Sequence, residues 1–113
     1  MLRQAEKGKG VERARLHQPV SGPPRTAPDG RVLIGLNRSG EPKKPVLAVF
    51  HPETNELTFA SPQVLGFRKD DQVEAYGVSA PPKGEAFLWV LDDEEVRRVS
   101  WRSILALPRV AAL

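Results

Sequence analysis

The chain of 113 residues contains no cysteine and only two histidines. Without cysteine it has no disulfide framework, no thiolate metal site and no cysteine nucleophile. Neither His17 nor His51 has a nearby Asp, Cys or second His in the sequence. Both are therefore interpreted as surface histidines. No nucleophile–base–orienter triad can be assembled, nothing marks one carboxylate pair as catalytic, and we expect no enzyme activity, metal or cofactor.

Long apolar runs are also absent. The longest, Ala86–Leu91, is far below the roughly 20 residues of a membrane-spanning helix, and the N-terminus lacks the apolar core of a signal peptide. Asn37-Arg38-Ser39 matches a glycosylation acceptor but is interpreted as chance. We expect no membrane partner and a location in the cytoplasm or inside a nucleoprotein or viral particle.

Prolines and glycines are plentiful, eleven and nine respectively, and they separate short apolar segments. No long helical pattern lies between these segments. The sequence predicts a mainly β domain over residues 31–113, a small antiparallel barrel or sandwich of SH3-like or OB-like type, preceded by an extended, flexible basic arm over residues 1–30. Six to seven short strands are expected, near 32–37, 46–51, 57–60, 64–67, 73–79, 86–91 and 96–101.

The segment 85–107 is predicted to form the central hairpin. Its apolar run 86–91 is typical of a strand covered on both faces, and burial of Trp89 and Trp101 would contribute about 3 kcal/mol each. Changing either tryptophan to alanine should then unfold the domain. The acidic run Asp92–Glu95 between the strands is interpreted as a solvated loop, because a calcium loop spaces its ligands and contains glycine. A short helical turn is expected at 103–107.

Three positions carry local backbone predictions. Pro28-Asp29-Gly30 predicts a turn, since proline fixes φ and glycine accepts a positive φ. Gly35 inside a strand predicts a bulge or a close approach of another part of the chain. Asn55, in the loop between two strands, is expected to adopt the left-handed conformation.

The charge distribution is uneven. Residues 1–31 hold seven Lys/Arg against three Asp/Glu, a net of +4, and residues 32–113 hold ten against eleven, a net of −1. This asymmetry favours a polyanionic partner. Lys7–Gly10 is not a phosphate-binding loop, because no strand precedes it and no Ser or Thr follows the lysines. The candidate nucleic-acid-binding residues are Arg3, Lys7, Lys9, Arg13, Arg15, Lys43, Lys44, Arg68 and Lys69.

The sequence therefore favours a non-enzymatic nucleic-acid-binding or nucleoprotein-associated module that uses the arm and one face of the domain, with DNA or RNA left open. Strand aromatics near the cations would supply stacking surfaces. Those considered are Phe50, Phe59, Phe67 and Tyr76. The alternative is a structural or accessory subunit whose arm docks on a neighbouring protein in a larger assembly.

Overall fold

A computed structural model of the protein describes residue 18 and residues 20–38, 44–68, 72–92 and 94–112. Within these residues the chain forms eight strands and one short helix. They are β1 (Arg25–Thr26), β2 (Val32–Gly35), β3 (Leu47–His51), β4 (Glu56–Ala60), β5 (Ala75–Ser79), β6 (Phe87–Leu91), β7 (Val96–Ser100), α1 (Trp101–Leu105) and β8 (Arg109–Ala111).

The strands form two antiparallel sheets. One has the order β1-β2-β3-β4-β8 and the other the order β5-β6-β7. The mainly β prediction is confirmed, but the closed barrel is wrong, because each sheet keeps two edge strands. Residues 64–67, for which the sequence allows a short strand or an irregular crossing, do not form a strand. Residues 62–66 form turns, and the amide of Phe67 donates to the carbonyl of Pro62 over 2.8 Å.

The two sheets share one apolar core. Period-2 alternation turns Leu33 and Val49 of the larger sheet and Leu88 and Val90 of the smaller sheet toward each other. Trp101 covers this core from the first position of α1. Full burial of one such aliphatic side chain contributes about 1.5–3 kcal/mol, so the shared core is the main source of stability.

Tyr76 connects the two sheets. Its hydroxyl oxygen accepts the amide hydrogen of Gly35 over 2.8 Å, and its hydroxyl donates to the carbonyl of Pro23 over 3.4 Å. A Cβ at Gly35 would lie 2.9 Å from the Tyr76 ring and 2.5 Å from the Ser21 hydroxyl. The close approach at Gly35 is therefore made by the side chains of Ser21 and Tyr76.

Two further local predictions are confirmed. Asn55 has a φ of 58° in the β3–β4 hairpin. In the turn before β2, Gly30 has a φ of 91° and its amide donates to the carbonyl of Ala27 over 2.9 Å.

Residues 20–30, which the sequence analysis assigns to the arm, contribute to the larger sheet. Arg25 pairs with Leu33, and Val20 forms an isolated bridge with Leu36. Ala27 is buried in the shared core. The predictions for residues 1–17 and 19 lie outside the described residues.

The C-terminal segment contains helix α1 and then the last strand of the larger sheet, β8. Helix α1 begins at Trp101, earlier than the turn predicted at 103–107, and ends before Pro108. The chain then returns as β8, in which Arg109 pairs with Thr58 of β4. Within the described residues there is no helix of the length and apolarity that crossing a membrane requires.

Candidate nucleic-acid interface

The nine predicted binding residues come from three chain segments. Lys44 and Arg68 are described and exposed, and both have interaction partners. The other seven, Arg3, Lys7, Lys9, Arg13, Arg15, Lys43 and Lys69, lie outside the described residues.

The N-terminal segment is joined to the loop that precedes β3. The side-chain amide of Gln18 donates to the carbonyl of Pro45 over 3.0 Å and to that of Asn37 over 3.3 Å. Lys44 is adjacent to Pro45, and Arg15 lies three residues before Gln18 in the sequence. Gln18 therefore joins the described start of the chain to the loop that contains Lys44.

Gln72 also bonds to the loop that precedes β3. Its side-chain amide donates to the carbonyl of Leu36, and its side-chain oxygen accepts the amide hydrogen of Arg38 over 3.4 Å. Arg68 lies four residues before Gln72. We call this region of the molecule the basic end. Its described residues are Gln18, Leu36, Asn37, Arg38, Lys44, Pro45, Arg68 and Gln72.

The acidic β6–β7 turn borders the basic end. Asp92 is 7% exposed, and one of its carboxylate oxygens accepts the amides of Glu94 and Glu95 over 2.7 and 2.6 Å. These two bonds, with the nearby charges of Arg97 and Arg68, hold the pKa of Asp92 below 3.8. The prediction of a wholly solvated loop is therefore wrong at Asp92, which closes the turn.

Neighbouring arginines on β7 have opposite orientations. Arg97 turns to the core side, where its guanidinium lies 5.7 Å from the centre of the Phe67 ring and pairs with Glu95 over 2.7 Å. Arg98 turns outward, where its guanidinium lies 4.2 Å from the centre of the Phe87 ring. Arg97 therefore packs at the edge of the core, whereas Arg98 lies on the opposite face of the three-stranded sheet.

That surface is the outer face of the three-stranded sheet. Trp89 is 39% exposed on it, and its indole N–H donates to the Ser79 hydroxyl over 2.8 Å. The Phe87 ring meets the Trp89 ring edge to face, with centroids 6.4 Å apart. We call the following outward residues the platform: Ala75, Gly77, Ser79, Phe87, Trp89, Leu91, Val96, Arg98 and Ser100.

The expectation that Trp89 is buried is wrong. Only the even-numbered residues of β6, Leu88 and Val90, face the shared core. The signal is present in the sequence, because Phe87, Trp89 and Leu91 occupy one face of a six-residue apolar run. A strand in a two-layer antiparallel protein usually has one solvated face, so the run does not require cover on both.

The four aromatic residues that the sequence suggested as stacking surfaces lie outside the platform. Phe67 is buried against Arg97, and Tyr76 bonds to the opposite sheet. Phe50 is half-buried on the outer face of the larger sheet, where Phe59 is 36% exposed. Of these four, only Phe59 is exposed.

His51 is wholly buried, so its interpretation as a surface residue is wrong. It is the last residue of β3, pairs with Glu56, and points to the core side of the sheet. Arg31 donates from Nε to Nδ1 of His51 over 2.9 Å, and His51 Nε2 lies 2.6 Å from the Thr58 hydroxyl oxygen. Burial, followed by the charges of Arg109 and Arg31, lowers the pKa of His51 below 6.5.

The direction of these bonds excludes one kind of catalysis at His51. Arginine is a donor only, so Nδ1 of His51 is the acceptor and the ring proton is on Nε2. His51 therefore donates to Thr58 and has no lone pair with which to remove the Thr58 proton. The pair has the spacing of a nucleophile and its base but the opposite proton arrangement.

Arg31 extends this network to Trp101. The Arg31 guanidinium pairs with Glu53 and, over 3.1 Å, with Asp29, whose same oxygen accepts the indole N–H of Trp101 over 2.7 Å. Burial opposes ionisation of Asp29, but the bonds from Trp101 and Arg31 outweigh it and lower its pKa below 3.8. This network joins the turn before β2 to the core, and we therefore interpret it as stabilising the fold.

The larger sheet also has an apolar outer face. Val110 is 49% exposed there, beside Phe59. A smaller cluster of buried residues lies along this face: Leu36, Ala48, Leu57 and Ala112, with Ile34 and Phe50 packed against it.

Among the described residues, no group of three His, Asp or Glu side chains is arranged to hold a metal ion. Comparison of the chain with protein-family models, with curated proteins and with solved structures finds no match. The class of protein defined by the fold is a mainly β, two-sheet protein, and its function is inferred from its surfaces.

Proposed function

We propose that the protein binds nucleic acid through the basic end. The observation that supports this is that two glutamines distant in the sequence, Gln18 and Gln72, both bond to the loop that precedes β3, which contains Lys44. A phosphate backbone is recognised by a concentration of Lys and Arg, whatever its base sequence.

The sequence around the two glutamines supports the proposal further. Segments 12–18, 36–45 and 68–72 hold seven bases (Arg13, Arg15, Arg38, Lys43, Lys44, Arg68 and Lys69) against four acids (Glu12, Glu41, Asp70 and Asp71). Their net charge of +3 equals the formal net charge of the whole chain, also +3. The remainder of the protein is therefore neutral overall, and the excess positive charge belongs to these three segments, in which Arg38 is buried.

The test measures the binding of labelled oligonucleotides to the full chain by fluorescence anisotropy, repeated at increasing salt concentrations. We expect log affinity to fall linearly with log salt. Replacing Lys43 and Lys44 by glutamine should weaken binding and make the slope shallower by roughly 0.7–0.9 for each phosphate that is no longer neutralised. The matched control replaces Arg25 and Lys83, exposed cations outside the basic end, by glutamine.

The proposal is wrong if affinity is independent of salt, or if the control pair weakens binding as much as the Lys43 and Lys44 pair. A simple prior observation is the ratio of absorbance at the nucleic-acid and protein maxima in the purified protein. Bound nucleic acid raises that ratio, and a high-salt wash should lower it.

A second candidate is an accessory subunit that docks on another protein. It is favoured by the apolar outer face of the larger sheet, where Phe59 and Val110 are exposed together. Exposed contiguous apolar surface often marks a protein–protein contact. Threonine at both positions should abolish association with the partner in sedimentation velocity and leave oligonucleotide affinity unchanged. The opposite result, lost oligonucleotide binding with unchanged association, argues against this candidate.

A further inference from the structure

We propose that the platform stacks an unpaired base on Trp89, so that the nucleic acid bound by this protein is single-stranded. This inference rests on the proposed function and specifies its ligand. It is carried by three independent features of the platform: a fixed indole ring, an open space beside that ring, and a cation opposite it.

The first feature is the orientation of Trp89. Its indole N–H is bonded to the Ser79 hydroxyl, and the Phe87 ring contacts it edge to face. These contacts hold the ring while 39% of the residue remains exposed. A fixed aromatic surface loses little conformational entropy when it stacks on a base, and every base offers a flat face to it.

The second feature is the space beside the ring. Gly77 lies directly opposite Trp89 in the ladder between β5 and β6, and no atom lies within 4 Å of the position of a Cβ at Gly77. The backbone of Gly77 is in a strand with no positive φ, so glycine is not required there for conformation. The missing side chain leaves room for a flat ligand next to the indole.

The third feature is charge. Arg98 pairs in register with Trp89 on its other side, is exposed, and makes no ion pair within the part of the chain that the structure describes. The nine platform residues include this one cation and no carboxylate. A ligand that combines a flat ring with a negative charge fits this combination, and a nucleotide has both.

The platform also adjoins the basic end. Leu91 lies about 7 Å along β6 from Trp89, and its carbonyl accepts the amide hydrogen of Glu74, two residues after Gln72. In the intervening turn, Asp92 is engaged by backbone amides and Glu95 by Arg97, whereas Glu94 is exposed. A strand held by its phosphates at the basic end would reach Trp89 along β6, on the side of the turn away from Glu94.

The test measures affinities of the full chain for oligothymidylate, oligouridylate and a duplex of equal length, with tryptophan fluorescence as a second signal. We expect either single strand to bind tighter than the duplex and to quench Trp89. Trp89→Leu should weaken single-strand binding about five- to hundredfold and leave duplex binding unchanged. The two single strands distinguish DNA from RNA as the source of the unpaired base.

A second variant tests the space without removing the ring. Gly77→Val places its Cβ where no atom lies within 4 Å, and valine favours the strand conformation, so we expect the variant to fold. It should nevertheless weaken single-strand binding as Trp89→Leu does. Phe59→Leu is the matched control, because it removes an exposed aromatic from the other sheet.

The outcomes separate the two proposals. If Trp89→Leu and Gly77→Val bind single strands normally but the Lys43 and Lys44 variant does not, the platform inference is wrong and the basic end remains. If no oligonucleotide binds in a salt-dependent way, both are wrong. If Trp89→Leu abolishes self-association or binding of a protein and leaves oligonucleotide affinity unchanged, the platform is a protein-docking surface and the inference is overturned.

Discussion

Arg31 donates its Nε hydrogen to Nδ1 of His51 across 2.9 Å, and the opposite ring nitrogen lies 2.6 Å from the Thr58 hydroxyl. The bond from Arg31 requires the neutral ring, because Nδ1 must keep its lone pair to accept it. Protonating His51 would oppose the donor hydrogen of Arg31 and place a second positive charge beside the guanidinium in a buried site. Protonation of His51 should therefore lower the stability of the folded protein.

We predict that stability declines as the pH falls below 6.5. The pKa of His51 is lowered in the folded protein, so the unfolded chain takes up a proton that the folded chain does not. The contribution is complete above pH 6.5 and is lost below it, down to the folded pKa, by at most about 1.4 kcal/mol per pH unit. Urea unfolding at a series of pH values measures this slope.

The control is the other histidine. His51→Asn should remove the slope that begins below pH 6.5, whereas His17→Asn should keep it. Asp29 also contributes in acid, but its pKa is lowered from 3.8, so its contribution is lost only below about that pH. A slope that survives in His51→Asn contradicts the prediction, as does an NMR assignment of the ring proton to Nδ1.

The burial of His51 illustrates what the sequence could not reveal. The alternation of Leu47, Val49 and His51 predicts one face, but the partners that satisfy the ring come from positions 31 and 58. Residues that make such bonds meet only through strand pairing, which local patterns do not specify. By contrast, Asn55 and Gly30 were predictable, because a positive φ depends on the residue itself.

The candidate interface was predictable to a similar extent. Charge counting identified the basic segments, but it could not reveal that Gln18 and Gln72 bond to the same loop. Composition also could not decide which tryptophan is exposed. Trp89 is exposed because, among the described residues, no third layer of structure covers β6. The two-sheet arrangement determines this, and no local segment of the sequence reveals it.

A pair of glycine substitutions tests the contact between the sheets. Gly35→Ala should destabilise the protein by about 1–3 kcal/mol, because its Cβ would lie 2.9 Å from the Tyr76 ring. Gly77→Ala meets no atom within 4 Å and should be neutral or stabilising by about 0.5–1 kcal/mol. Urea midpoints measure both. Equal effects of the two substitutions would contradict this geometry.

Removal of the Tyr76 hydroxyl tests the same contact from the other sheet. Tyr76→Phe leaves the buried amide of Gly35 without its acceptor, at a cost of about 1–3 kcal/mol. The ring itself is retained, so packing is preserved. In a double-mutant cycle, Gly35→Ala and Tyr76→Phe should be non-additive, since each disturbs the other's partner. Additive free energies of unfolding would mean that the two residues do not interact in solution.

Asn55 connects the β3–β4 hairpin to the last strand. Its carbonyl accepts the amide hydrogen of Ala112 over 2.8 Å, and its side-chain amide donates to the Ala112 carbonyl over 3.3 Å. Asn55→Ala should cost about 1–2 kcal/mol, because alanine disfavours the φ of 58° found here. Asn55→Gly keeps that φ and should cost less. Hydrogen exchange at Ala112 should rise more in the alanine variant, and the reverse order would refute the role assigned to the backbone.

Substitution of the two tryptophans should lower the free energy of unfolding by very different amounts. Trp101 is 4% exposed and bonded to Asp29, so Trp101→Leu should cost about 3 kcal/mol or more through poorer packing and the loss of the indole hydrogen bond to Asp29. Trp89 is 39% exposed, so Trp89→Leu should cost less than about 1 kcal/mol. Urea unfolding measures both, and the emission of each remaining tryptophan provides an independent check. Trp101 alone should emit at the shorter wavelength, and a Trp89→Leu protein that unfolds would show that Trp89 is part of the core and not of an exposed platform.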